Sequence, residues 1–166
     1  MEASIKLGTT SANTIAEFII RKYGSMSHLK LQKILFYCEA YHLAYTSHSL
    51  FPEEFEAWVH GPVSRVIYAK LKGAGMYSDI DYTGDSKVSP DELLSGLSSD
   101  QVDILNNVIS QLSTWTALEL ESATHKESPW IDARNGCAPS DKCTNTITKE
   151  SMRKFYSMEL NGETLS

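Results

Sequence analysis

The sequence predicts a mostly α-helical fold: a single compact helical domain, about six helices around a central one, with a minor β-hairpin. Three observations carry that reading. Apolar residues recur at 3.6-residue spacing through most of the chain, Ser or Thr N-caps open those stretches, and residues 27–45 have an apolar surface wider than a simple stripe. At 166 residues, with 42% hydrophobic and 22% charged, the chain has enough length for a real core without disulfides or metal.

Ser11 is the expected N-cap of a first helix whose inner face is Ile15, Phe18, Ile19 and Tyr23, with Gly24 as its stop. The second and central helix starts near Ser27. It carries Leu31, Ile34, Leu35, Cys38, Tyr41 and Tyr45 on one stripe, leaving Lys30, Lys33 and Glu39 largely on the other side. Residues 55–63, FEAWVHGPV, then read as a short extended segment anchored by a largely buried Trp58 and turning at Gly61. Pro62 is expected to open a third helix, with Val63, Val66, Ile67 and Leu71 facing inward. Ile80 and Tyr82 alternate with Asp81 before a Gly84-Asp85 turn and Val88, which places the minor hairpin there. Ser89-Pro90-Asp91-Glu92 predicts a short helix with Pro at its first position.

Ser99 or Asp100 should cap a longer helix facing inward through Val102, Leu105, Ile109 and Leu112. Thr116 and Glu119 form a capping-box signature, so another helix runs from Thr116 towards Ala123. Ser128-Pro129 breaks any helix before Trp130. Residues 136–146 make a polar loop, the best candidate for mobility or insertion. Thr148 caps a last helix with Met152, Phe155, Tyr156 and Leu160 turned inward.

Charge and cysteines narrow the function classes. Fifteen basic residues against 21 acidic give a net charge of -6, which disfavours a sequence-independent grip on phosphate backbones and suits solubility or a basic protein partner. Cys38 belongs to an apolar stripe, while Cys137 and Cys143 have a spacing unlike zinc knuckles, so no metal and no cofactor are expected. No apolar run approaches the roughly 18 residues a membrane span requires, and the start lacks a signal-peptide pattern, which points to the cytoplasm.

Chemistry is sparse. There is no glycine-rich phosphate loop, no HExxH and no G-x-S-x-G, and His28, His42, His48, His60 and His125 are scattered. An enzyme is therefore not expected. His60 and His125 are read as satisfying backbone groups at two chain breaks. Tyr37, Tyr41 and Tyr45 climb one helical face without the interleaved Arg and Lys of a nucleic-acid platform, so they read as core or protein interface.

Three motifs in order add a resemblance. Residues 29–37, LKLQKILFY, resemble the LKLQKLLYY opening of the SocA-like antitoxin family, also called the Panacea domain. AWVHGPV at 57–63 is similar to its second hallmark, with Val66 and Tyr68 following in place. Leu118, Thr124-His125 and Ser128-Pro129-Trp130 are similar to the third. The likeness covers roughly residues 10–160; the Cys137–Cys143 loop has no counterpart in it. The resemblance implies an antitoxin of a bacterial or phage-borne toxin–antitoxin pair, neutralising a cognate toxin encoded nearby by direct protein–protein binding. Two alternatives go with it: an adaptor that delivers the toxin to an ATP-dependent protease, and a DNA-binding autoregulator. The acidic balance and the lack of a basic arm speak against the second. It also implies that Leu31, Lys33, Tyr37, Trp58, His60, Gly61, Pro62, Val63, Thr124, His125, Pro129 and Trp130 are mainly scaffold bordering the partner interface. Trp58, Pro62 and Trp130 are its expected packing anchors.

Overall fold

Helix boundaries fall where short polar caps sit beside apolar periodicity. In a computed structural model describing residues 4–71, 73–81 and 87–162, Ser11 Oγ accepts the Thr14 N–H and α1 runs Ala12–Tyr23 to Gly24 (φ 101°). The elements that follow are β1 (Met26–Ser27), α2 (His28–Thr46), β2 (Phe55–Trp58), β3 (Gly61–Val63) and α3 (Arg65–Lys70). Then come β4 (Asp79–Ile80), a 3₁₀ turn (Asp91–Leu94), α4 (Ser99–Leu112), α5 (Ala117–His125), α6 (Ser128–Ala133), β5 (Thr146–Ile147) and α7 (Lys149–Leu160). The architecture is mostly α with a minor antiparallel component.

The central helix is α2, capped by Ser27 and packed against α1, α4, α5, α7 and β3. Neighbours on every side bury it all round, which explains why its apolar surface is too wide for a stripe. Phe36 lies at the middle of the core, edge-on to Phe55 (5.3 Å) and Tyr156 (6.1 Å). The same enclosure overturns the expectation for two charged residues. Lys33 and Glu39 are both fully buried rather than on a polar face, and each has partners inside the protein. Glu39 Oε1 accepts the Leu50 N–H, while Oε2 pairs with Lys149 Nζ at 2.5 Å. Burial outweighs that ammonium and pushes the Glu39 carboxyl above its ordinary range. Tyr45, expected on the inner stripe, is 60% exposed.

Residues 55–63 depart most from expectation. They form a β-hairpin, with Trp58 paired to Gly61, Ala57 to Pro62 and Glu56 to Val63. Beyond β2, β5 completes a three-stranded sheet in the order β3-β2-β5. Pro62 therefore opens no helix; it lies in an edge strand, where a missing N–H costs no ladder bond. The helix starts two residues past Val63, capped by Ser64, and of its inward candidates Ile67 is buried while Val66 is 49% exposed. Strand alternation also explains Trp58. Phe55 and Ala57 point into the core, so Glu56 and Trp58 take the opposite face. Trp58 is half-buried, its Nε1–H donating to Glu56 Oε1 and its ring 4.9 Å from that of Tyr68.

Other differences are local. Ile80 pairs with Met26 of β1 instead of folding back on its own chain, and the Gly84-Asp85 turn lies outside the described residues. The short helix near Pro90 is a 3₁₀ turn beginning at Asp91. Ser98, one residue earlier than expected, caps α4 through a capping box with Gln101, whereas the Thr116–Glu119 box of α5 forms as expected. Pro129 starts α6, which carries Trp130, rather than simply ending a helix. Leu160, at the end of α7, is 37% exposed. The 136–146 loop is gathered around Arg134, whose Nη2 donates to the carbonyls of Ala138 (2.8 Å) and Asp141 (2.7 Å). Cys137 and Cys143 are free thiols, with Cys143 buried and beside Cys137. Among the described residues, no helix is long and apolar enough to cross a membrane.

Candidate functional site

A hairpin at an edge leaves backbone carbonyls and amides that its own ladder cannot satisfy, and each must find a partner or water. Here side chains from three distant stretches supply the partners. From α2, Gln32 Oε1 accepts the Ser64 N–H (2.8 Å) and its Nε2 donates to the Ser64 carbonyl (3.3 Å). One turn-neighbour along, Lys33 Nζ donates to the Pro62 carbonyl (3.1 Å). From α5 and α6, His125 hydrogen-bonds the Val59 backbone and Trp130 Nε1–H donates to the Trp58 carbonyl (2.8 Å). Just beyond α6, Arg134 Nη1 donates to the Ala57 carbonyl (2.7 Å). His125 stacks on Trp130 (4.1 Å between centroids), and the Arg134 guanidinium lies 5.0 Å from the same indole.

Gly61 lets these pieces close up. Its φ is 106°, and a Cβ there would stand 2.5 Å from Lys33 Cε and 2.9 Å from Thr124 Oγ1. Thr124 is itself fully buried, its hydroxyl donating to the Glu121 carbonyl. The electrostatics follow from this enclosure. Burial lowers the Lys33 ammonium to about 7, opposed in part by the Glu121 carboxylate. Burial likewise lowers His125, with Glu121 opposing and Lys33 and His60 adding to the shift. His60 Nδ1 stands 3.1 Å from Glu121 Oε1, within ion-pair range, yet Oε1 has no hydrogen bond and neither has His125 Nε2. Lys33 has no exposed surface, so its amine faces protein alone.

The structure thus brings Lys33, Trp58, His60, Gly61, Pro62, Val63, Thr124, His125 and Trp130 to one hairpin, with Pro129 buried at the start of α6. Trp58 and Trp130 are half-buried rather than deep anchors; Pro62 is buried as expected. Leu31 belongs to the hydrophobic core, and Leu118 is 66% exposed. Gln32, Glu121 and Arg134 are additions. Gln32 stood inside the first motif as a polar residue between core positions, a signal that it has a buried partner; nothing local marked Glu121 or Arg134.

Tyr37 belongs to a second feature. Its hydroxyl donates to Glu127 Oε1 (2.6 Å), which also takes the Tyr156 hydroxyl (2.8 Å). These groups floor a cleft of about 480 Å³ between α2, α4, α5 and α7, walled by Tyr41, Tyr45, Ile104, Val108, Leu112, Trp115 and Leu160. Tyr37 and Tyr41 stack at 6.2 Å, so the tyrosine stripe is a groove lining. Burial pushes the Glu127 carboxyl up against the pull of its two phenols, and pushes the Tyr41 hydroxyl up to about 12.

Interlocked motifs beside an open aromatic groove define a helical scaffold built to present surface, not a reaction centre. The family described as "Antitoxin SocA-like, Panacea domain" matches residues 31–131, more than half of the chain. The chain belongs to that family, which supports an antitoxin role and, in general terms, a toxin as partner. No curated protein and no solved structure matches it.

Proposed function

We propose that this protein neutralises a cognate toxin, encoded beside it, by direct protein–protein binding in the cytoplasm, without catalysis, cofactor or metal. Family membership supports the class of function. The observation that carries direct binding is the distribution of surface. The motif residues are used up in holding the hairpin, while large apolar side chains such as Tyr45, Trp115 and Leu160 remain exposed around one cleft. Exposed clustered aromatics mark protein contacts. The acidic balance favours a basic partner and disfavours DNA.

The test is expression of the neighbouring gene with and without this one. Growth arrest by the neighbour alone, relieved by this protein, with the two co-purifying as a stable complex, is the expected result. A harmless neighbour, or arrest that persists beside folded protein, overturns the reading. Relief that disappears in protease-deficient cells, with the toxin's level falling only when the protease is present, replaces occlusion by delivery for degradation.

A further inference from the structure

Resting on the antitoxin reading, we propose that the groove between α2, α4 and α7 seats a toxin segment that places a lysine or arginine beside an aliphatic or aromatic residue. Three observations lead there. The first is size and shape: about 480 Å³ lies within the range of roughly 300–1,000 Å³ typical of ligand clefts, and helices bound it on more than one side. The second is exposure. Tyr45 (60%), Trp115 (40%) and Leu160 (37%) leave apolar area in water at one place, which a partner's apolar side chain would cover.

The third is charge. Asp103 and Glu127 are the only charged residues lining the groove, with no Lys, Arg or His among them, and Glu159 acts on Tyr41 and Glu127 from close by. A neutral or acidic occupant would leave Glu127 as it is, a carboxylate disfavoured by burial despite its two phenol donors. A cation arriving at the mouth offsets that cost, because an opposite charge a few ångströms away stabilises the ionised form. The apolar walls supply contact area and the acids select a basic side chain, so the groove specifies a mixed segment rather than a purely greasy one.

The experiment uses full-length protein and the product of the neighbouring gene, with growth rescue and a binding constant as readouts. Asp103→Lys and the pair Tyr45→Ala/Trp115→Ala alter exposed positions, and thermal melts matching the parent establish that they fold. Tyr77→Ala and Leu118→Ala, equally exposed but outside the groove, are controls. Expected is a loss of at least about tenfold in affinity for each groove variant, with rescue failing, while the controls behave as the parent. Recovery of binding to Asp103→Lys by a Lys→Glu or Arg→Glu change in the toxin would confirm the charge rule. Groove variants that bind within twofold of the parent overturn the inference while leaving the antitoxin reading intact. If light scattering shows a dimer that Trp115→Ala dissociates, the occupant is a second copy and the inference is again wrong. A parent that neither binds nor rescues removes both.

Discussion

Replacing Gly61 by alanine would press a methyl group against Lys33 Cε and Thr124 Oγ1 and hold a non-glycine residue at φ 106°. Overpacking and backbone strain each cost about 1–3 kcal/mol, so Gly61→Ala should lose roughly 2–4 kcal/mol in urea unfolding. A variant unfolding with the parent would mean that the hairpin sits higher above α2 than described. Lys33 offers a test of a different kind. Its amine sits at about 7 in the fold against an ordinary 10.5. Between those values the unfolded chain holds a proton that the folded chain lacks, so stability rises with pH, by at most about 1.4 kcal/mol per unit for one proton. Below the folded value both states are protonated and the slope vanishes. Lys33→Met should flatten the climb between about pH 7 and about pH 9.5, before the unfolded chain's tyrosines ionise. Parallel pH profiles for parent and variant would place a charged, better-solvated amine there.

Among the elements, α7 is joined to α2 by the buried Glu39–Lys149 pair. Lys149→Met strands a carboxylate in the core and should cost about 3–5 kcal/mol at pH 7. The loss should shrink towards pH 5. With the ammonium gone, the folded pKa of Glu39 rises further above its unfolded value, so stability falls as pH rises through that window. Glu39→Gln beside Lys149→Met should recover most of it, since the amide oxygen still accepts the Leu50 N–H; failure to recover would put the cost in lost packing of the Lys149 stem. The same pair shows what the sequence could tell. The starts of α1, α2, α5 and α7 were legible from Ser11, Ser27, Thr116 and Thr148, because a cap is a bond between residues three apart. Lys33 and Glu39 were misplaced because their partners, Pro62 and Lys149, lie 29 and 110 positions away. Pro62 misled for the same reason: proline suits a helix start and an edge strand equally, and Gln32 and Lys33 of a distant helix decide between them. Of the candidate site, the motif residues were legible as a set, their convergence was not, and the groove announced itself only through the tyrosine spacing.

For the whole molecule, a net charge of -6 acts at distances where individual contacts do not. If the toxin is basic, association should be steered, and its on-rate should fall at least about tenfold between 0.05 and 0.5 M salt, roughly, while dissociation changes little. A salt-insensitive on-rate in stopped-flow mixing would confine the electrostatics to the groove. The clamped hairpin also has a consequence in time. Its carbonyls are held by side chains 29, 72 and 77 positions away along the chain, through Lys33, Trp130 and Arg134. Bonds that close such long loops form only after the helices carrying them have docked, so they belong to the last steps of folding. Cutting one, as in Arg134→Met, should speed unfolding severalfold and leave refolding almost unchanged. The hairpin then acts as a latch on a fold already assembled, and its release sets how long each folded molecule survives before it next opens.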